Sequence, residues 1–268
     1  ALKFDAAIST FPQNRFVLWS FFAGIKRRIG EKGQPFDYLL TDKLDIKRSD
    51  SGVLNYFCDL LRPLGITTFD KKTNYQIPGD FTQEAEKTIA ALNFDKEKKI
   101  LIIHPGASDK DRQTPPEKLA ELLLKIRENK PYNLLVVYSE YDEEYISSFK
   151  KIYTGNISYV KTQTIGELAA ILKQGDAALL HNSGPRHLAA AIGVKTVGLL
   201  ERYDDIMWKI YEDENFHAIV QSNIVCDACS AGKCRGIIPA GAVFGAKCMH
   251  DIPSVEIYSS IERIINNP

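Results

Sequence analysis

The sequence predicts an α/β fold in which a parallel sheet is flanked by helices. Two observations support this class. Short apolar and β-branched runs alternate with stretches that carry apolar side chains at helical spacing, as repeated strand–helix units do. Two of the strand-like runs also lead directly into short loops, one reading Asn-Ser-Gly-Pro and the other Pro-Gly-Ala-Ser. Such loops are expected where a buried strand turns into a helix.

The pattern is clearest between about residue 97 and about residue 225, which we interpret as one doubly wound domain. A buried strand at 100–104 precedes a helix that starts near Pro115 and carries apolar residues on one face. Thr164 and Glu167 form a capping box, in which a side chain at each end of the first turn satisfies a free backbone donor. The remaining predicted units are, in order, strand 134–138, helix 142–152, strand 157–160, helix 164–173, strand 177–180, helix 185–192 and strand 195–200.

The first 90 residues show fewer clear units. We predict a strand at 5–10, helices near 14–24 and 50–62, and a further helical piece that ends near residue 93. The charged run at 95–99 is the expected linker. Because the chain opens with neither an initiator Met nor a signal peptide and reaches a strand almost at once, we expect it to begin partway through a domain.

Composition restricts the function classes. Lys plus Arg equals Asp plus Glu, 34 against 34, so no global field favours nucleic acid. An apolar content of 44% is ordinary for a globular protein. No apolar run approaches the roughly 20 residues of a membrane-spanning helix. These numbers favour a globular protein that does not bind nucleic acid.

The segment 181–191 is the first candidate site. A strand runs directly into Ser183 and Pro185, which suit the cap and the first turn of a helix. The backbone N–H groups of Arg186 and His187 should then face the crevice at the strand end, with the helix dipole behind them. Capping alone explains Ser183 and Pro185, but not the neighbouring Arg-His pair. We therefore interpret this helix start as a diphosphate site.

A second candidate loop follows the strand at 100–104. Gly106 lets the backbone approach a ligand, and Ser108 and Arg112 offer donors to phosphate or sugar oxygens. Alone, this segment would read as an ordinary polar loop. Two such loops at strand ends of one sheet make a ligand site the better interpretation.

These segments resemble glycosyltransferase family 9, the ADP-heptose:lipopolysaccharide heptosyltransferases. That family carries a His-Pro-Gly-Ala-Ser segment after a strand, a basic stretch opening the next helix, and a later Asp-Ser-Gly-Pro-Met-His-Leu-Ala-Ala-Ala segment. The chain is similar to it over nearly its whole length. The segments that carry the resemblance are 23–30, 60–66, 104–108, 112–117, 164–170 and 182–193.

The resemblance implies a GT-B fold of two Rossmann-like domains with parallel sheets, the first incomplete here. We expect an acceptor-side domain at 1–95 and a nucleotide-sugar-binding domain at 96–252 that contains a Cys-rich loop at 226–248. A helix within 253–268 should pack back on the N-terminal domain. The roles implied are leaving-phosphate stabilisation for Arg112 and donor binding for Ser108, Glu143, Thr164, Asn182, Ser183, Gly184 and His187, with Glu143 and Thr164 near the adenosine.

The function implied is heptose transfer from ADP-heptose to a lipopolysaccharide or lipooligosaccharide core acceptor, at the cytoplasmic face of the inner membrane with a peripheral membrane contact. No cofactor is required for such a transfer. Alternatives are another nucleotide sugar, a protein acceptor, or a homologue that binds a nucleotide sugar without catalysis. Heptose transfer is the leading hypothesis, and the lack of a visible catalytic base in the chain is the feature that supports the non-catalytic alternative.

The chain departs from the family pattern at three points and carries a cysteine cluster. The family's opening strand, glycine-containing loop and catalytic Asp have no counterpart here. Asn182 replaces the family's Asp, and Glu201 begins a segment that replaces a Gly-Pro-Thr loop. Four cysteines in a C-x2-C-x4-C-x13-C pattern could hold zinc or iron, form disulfides, or stay reduced thiols. The cluster consists of Cys226, Cys229, Cys234 and Cys248.

Overall fold

The computed structural model divides the chain after Lys71 into a smaller and a larger unit. It describes residues 3–10, 14–47, 52–129, 132–202, 208, 213, 215–224 and 237–267. Within those ranges, no helix combines the length and the apolar character needed to cross a bilayer.

The smaller unit is built on three parallel strands in the order β1-β2-β3. Its core is formed by Ile29 of the middle strand and by Tyr56 and Leu60, which lie one helical turn apart on one face of a helix. The elements are β1 (Ala6–Ile8), α1 (Asn14–Phe22), β2 (Arg27–Glu31), β3 (Asp42–Leu44) and α2 (Val53–Leu61), with 3₁₀ turns at Asp37–Leu39 and Arg62–Leu64.

The larger unit contains six parallel strands in the order β6-β5-β4-β7-β8-β9. The order reverses beside β4 and β7, the two strands that precede both candidate loops. Its strands are β4 (Ile100–His104), β5 (Asn133–Tyr138), β6 (Ser158–Lys161), β7 (Ala177–His181), β8 (Thr196–Leu200) and β9 (His217–Gln221). Its helices are α3 (Gly79–Ala91), α4 (Pro116–Asn129), α5 (Glu143–Ile152), α6 (Ile165–Leu172), α7 (Gly184–Ala191), α8 (Lys247–His250) and α9 (Ser254–Asn266).

Helices cover both faces of this sheet because alternate strand residues point to opposite sides. Leu101 and Ile103 of β4 join the apolar cluster that contains α4, α5 and α9, whereas Ile102 joins the cluster that contains α3, α6 and α7. Both faces of the sheet are therefore buried under apolar side chains, and the polar loops lie at the strand ends. The predicted α/β class, with two sheets of parallel strands, is confirmed.

The division after Lys71 differs from the linker we expected at 95–99. Helix α3 lies between the two positions and packs against α6 of the larger unit. Phe81 covers Gly166 so closely that a Cβ there would lie 2.4 Å from the Phe81 ring. The charged run at 95–99 is thus a surface loop inside the larger unit.

Helix α9 buries its apolar stripe in the larger unit, where we had expected it to pack on the N-terminal domain. Its isoleucines recur at helical spacing and contact the sheet through β7, β8 and β9. Lys99 Nζ also donates to the carbonyl of Ile265 at 2.7 Å. The buried isoleucines are Ile257, Ile261, Ile264 and Ile265.

Candidate functional site

The two candidate loops meet at the carboxyl edge of the six-stranded sheet. Strands β4 and β7 are neighbours in register, so both loops leave the sheet side by side. The Ser183 hydroxyl, at the N-cap of α7, lies 3.4 Å from the carbonyl oxygens of Gly106 and of His181. Ser183 therefore joins the two segments that the sequence identified separately.

A third loop, after β5, interlocks with the first. Asp142 is buried, and its Oδ2 accepts hydrogen bonds from the Ser139 backbone N–H at 2.8 Å and the Ser139 hydroxyl at 2.7 Å. A Cβ on Gly106 would lie 2.0 Å from Asp142 Oδ1 and 2.8 Å from His104 Cε1. Glycine is needed at 106 because the carboxylate occupies the space of any side chain.

These loops surround a cavity of about 600 Å³, a size typical of small-ligand sites. The start of α7 forms one wall, and the loops after β4 and β5 form the others. Lys110 is the cation in the lining; its Nζ lies 2.7 Å from both carboxylate oxygens of Glu144 and 5.4 Å from the centre of the Phe244 ring. The lining includes Gly106, Ser108, Lys110, Ser183 and Gly184.

His104 lies at the floor of the cavity beside the Asp142 carboxylate. Its Nε2 is 4.0 Å from Asp142 Oδ2, and both side chains are about 6% exposed. Burial lowers the pKa of His104 below its ordinary value, although the Asp142 carboxylate opposes that shift. The floor therefore presents a neutral imidazole beside a carboxylate.

His181, the last residue of β7, fastens the start of α4 to the sheet. Its Nε2 accepts the Thr114 backbone N–H at 2.8 Å and lies 2.9 Å from the Thr114 hydroxyl. The Tyr145 hydroxyl donates to the Thr114 carbonyl at 2.6 Å. Burial, reinforced by nearby His104, lowers the pKa of His181 to about 3. The ring is neutral near pH 7 and acts as a hydrogen-bond acceptor.

Three residues expected to bind the donor line the cavity. Gly184 is the first residue of α7, and Ser183 caps that helix without a side-chain bond to it. The Ser108 hydroxyl lies on the opposite wall and donates to Asp109 Oδ2 at 3.2 Å. The structure thus brings together hydroxyl groups from both sequence motifs.

The Arg186 side chain is buried, whereas the sequence interpretation counted the Arg-His pair as part of the diphosphate site. It is 1% exposed, and its Nη2 donates to Asn182 Oδ1 at 3.1 Å. Its backbone N–H donates to the Ser183 carbonyl at 3.1 Å, and so does not face the crevice. Next to it, burial and then the Arg186 charge lower the pKa of His187 to about 4. His187 is therefore neutral near pH 7.

Arg112 lies in a 3₁₀ turn (Lys110–Arg112) after the first loop, outside the cavity lining. Its Nε is 3.5 Å from Asp109 Oδ2 and 3.7 Å from Glu201 Oε1. A hydrogen bond from the Gly245 N–H to the Lys110 carbonyl, at 2.8 Å, stabilises this turn. Arg112 is thus a partly buried cation with two carboxylates within ion-pair distance.

The two residues expected near the adenosine have structural partners. Glu143 Oε1 is 2.7 Å from Lys161 Nζ, and that hydrogen bond lowers the pKa of Glu143. The Thr164 hydroxyl caps α6 by accepting the Glu167 N–H at 3.2 Å. Their neighbours Glu144 and Leu168 line the cavity instead.

The cysteine cluster falls mostly outside the described residues. Cys226, Cys229 and Cys234 belong to ranges of which the structure describes nothing, and Cys248 is buried in α8 within the apolar core. Among the residues that are described, no group of three or more His, Cys, Asp or Glu side chains has metal-binding geometry.

The sequence interpretation missed the third loop. Ser139 and Asp142 follow β5 directly, so the rule that had identified the other two loops also applied to them. The sequence interpretation also assigned no role to Lys110, which lines the cavity. Phe244 could not be found from local pattern, because tertiary packing against Tyr145 brings it to the cavity.

The family model of glycosyltransferase family 9 (heptosyltransferase) matches residues 3–235. The chain belongs to glycosyltransferase family 9. The resemblance inferred from the sequence motifs is thereby confirmed, and the chain is a glycosyltransferase of the heptosyltransferase family. No match was found among curated protein sequences.

Solved structures show the family 9 fold at low sequence identity. A glycosyltransferase of family 9 from Veillonella parvula is 16% identical with a TM-score of 0.74, covering 97% of this chain and 73% of that one. The ADP-heptose lipopolysaccharide heptosyltransferase II of E. coli is 16% identical with a TM-score of 0.68, covering 97% and 76%. E. coli heptosyltransferase WaaC, solved with ADP, is 11% identical with a TM-score of 0.64, covering 98% and 73%.

Proposed function

We propose that the chain transfers a heptose from ADP-heptose to a lipopolysaccharide or lipooligosaccharide core acceptor. The observation that carries this proposal is the cavity between the loop after β4 and the start of α7, in a member of family 9. It lies where open parallel sheets bind ligands, at strand carboxyl ends beside a helix N-terminus. Solved relatives whose names mention ADP-heptose or ADP support the choice of nucleotide.

In the proposed complex, the diphosphate lies against the start of α7. Ser183 and Gly184 contact it from one wall, Ser108 from the other, and Lys110 adds a cation. A helix N-terminus and a lysine both favour an anion there. Asn182 and His187, which are not among the lining residues, stay proposals for donor binding, as do Glu143 and Thr164 for the adenosine side.

The proposed reaction forms a bond from an acceptor hydroxyl oxygen to the anomeric carbon of the heptose. The bond from that carbon to the β-phosphate oxygen breaks, and ADP leaves with the electron pair. Lys110 in the cavity lining, and Arg112 at the end of the same 3₁₀ turn, are proposed to offset the charge that develops on the leaving phosphate. The acceptor proton passes to a carboxylate base that the cavity residues do not identify.

The partners proposed are therefore a nucleotide sugar and a lipid-linked saccharide. Because such an acceptor is anchored in lipid, we propose that the protein acts at the cytoplasmic face of the inner membrane through a peripheral contact. The transfer needs no cofactor, since positioned cations and N–H groups stabilise the leaving group.

The test is calorimetric titration with ADP, UDP and GDP, followed by a transfer assay with ADP-heptose. We expect ADP to bind at least tenfold more tightly than the other two. A ligand at 100 times its Kd adds about 2.7 kcal/mol to stability, so thermal unfolding provides a second readout. Replacing Ser183 with alanine should weaken ADP binding, whereas the distant exposed change Glu121→Gln should not. Equal affinity for all three nucleotides would contradict the ADP proposal.

A further inference from the structure

Glu201 is a buried carboxylate at the point where β8 ends. It directly follows Leu200, and its side chain is 0% exposed. Its backbone carbonyl accepts a hydrogen bond from Gln221 Nε2 at 2.8 Å, which ties this position to β9. The backbone of Glu201 is thus fixed at the carboxyl edge of the sheet, the edge from which the loops that form the cavity also leave.

The Glu201 carboxylate lies beside Arg112, the residue that we propose stabilises the leaving phosphate. Glu201 Oε1 lies 3.7 Å from Arg112 Nε. Asp109 is equally close, at 3.5 Å, but its side chain is 63% exposed, compared with 0% for Glu201. Water and salt screen an exposed charge far more than a buried one. Of these two carboxylates, Glu201 is the one whose field on Arg112 is screened less.

We propose that Glu201 is a positioning residue that limits how tightly Arg112 holds the terminal phosphate of the bound nucleoside diphosphate. The inference rests on the proposed function, because it needs Arg112 to face that phosphate. Glu201 orients the guanidinium and subtracts from its field, so the site stabilises the phosphate without retaining it.

The consequence concerns the product of the reaction. The leaving ADP carries more negative charge on its terminal phosphate than the donor did, so an uncompensated arginine would bind the product more tightly than the substrate. Product release limits the turnover of many enzymes. A buried carboxylate behind the arginine opposes this product inhibition.

The experiment compares the affinities of ADP and AMP, measured by calorimetry on the full chain. The ratio of the AMP Kd to the ADP Kd isolates the terminal phosphate, so a merely structural defect, which weakens both nucleotides, leaves it unchanged. Glu201→Gln keeps the shape of the side chain and removes its charge. We expect the ratio to rise about threefold to tenfold, from Coulomb interaction at an effective dielectric between protein and water.

Control variants separate this inference from the proposed function. Glu121→Gln removes an equal charge from an exposed position on α4 and should leave the ratio unchanged. Arg112→Ala should lower the ratio, and adding Glu201→Gln to it should change nothing further. If Arg112→Ala lowers the ratio but Glu201→Gln does not raise it, the inference about Glu201 is wrong and the proposed function stands. If Arg112→Ala leaves the ratio unchanged, the proposed role of Arg112 fails.

A second variant covers the case in which Glu201→Gln does not fold. Glu201→Asp withdraws the carboxylate from Arg112 by one methylene, and circular dichroism reports whether the variant is folded. We expect the ratio to rise, by less than for the Gln variant. A fall or no change would overturn the inference.

Discussion

Replacing Gly106 with alanine tests whether the loops around the cavity are locked together by packing. The new Cβ would lie 2.0 Å from Asp142 Oδ1 and 2.6 Å from Asp142 Cγ, so the carboxylate must move. Moving it overpacks a buried site, at about 1–3 kcal/mol, and disturbs hydrogen bonds from Ser139 to a charged group, worth about 1.5–3 kcal/mol. We expect Gly106→Ala to lower the free energy of unfolding by about 2–4 kcal/mol in urea titrations at pH 7.

The same variant should weaken ADP binding at least tenfold, because Gly106 also holds Ser183 through its carbonyl. The matched control is Gly79→Ala at the first residue of α3, where a Cβ meets nothing within 4 Å. That variant should be neutral or slightly stabilising, as alanine is in a helix. Gly106→Ala within about 0.5 kcal/mol of wild type, with unchanged ADP affinity, would refute the packing argument, since that is the range of changes at unconstrained sites.

Further predictions concern an acid-sensitive histidine, a helix cap, a buried arginine and the cysteines. The pKa of His181 is about 3 in the folded state and about 6.5 in the unfolded state, so below pH 6.5 the unfolded state binds the extra proton. The contribution of His181 should therefore lower the free energy of unfolding by about 1.4 kcal/mol per pH unit as the pH falls from 6.5 to the folded pKa. His181→Asn should reduce that slope in urea titrations. Thr164→Ala should cost about 1 kcal/mol in thermal unfolding, whereas Thr164→Ser, which keeps the cap, should cost much less. Arg186→Ala should lower the free energy of unfolding in urea by at least about 2 kcal/mol, because it empties a buried site and removes the donor to Asn182 Oδ1. A change below about 0.5 kcal/mol would contradict the packing described. If the cysteines hold a metal, elemental analysis should give about one zinc or iron per chain, and Cys248→Ser should lower that metal content. Metal-free protein would leave disulfides or reduced thiols, which titration of free thiols distinguishes.

The elements of the larger unit could be predicted because their signals are local. The run 100–103 is apolar throughout because both faces of its strand are covered, and the Thr164–Glu167 pair is a cap within one turn. The short strands β2 and β3 lack such signals. Arg27 and Lys43 lie within them, and their burial is partial, so no continuous apolar run marks either strand.

The sequence predicted where the candidate site lies, but not which way its charged side chains point. Strand ends locate the loops containing Ser108 and Ser183 because chain topology alone places them together. The sequence interpretation counted Arg186 among the features of the diphosphate site, yet its side chain is buried. Its Nη2 donates to Asn182 Oδ1, and a Cβ on Gly198 would lie 2.8 Å from Arg186 Cδ. Partners of that kind come from tertiary contacts, which no local pattern encodes. The same holds for α3, whose apolar face matches α6, some 80 residues later in the chain.

The interlocked loops also determine how the donor preference of this protein could be engineered. Grafting only the loop after β4 from a relative would place a foreign backbone against Asp142 and Ser183, which have adapted to Gly106. A chimera should instead exchange three segments together as one cassette, cutting within the strands that support them. Those segments are 104–110, 139–142 and 181–185.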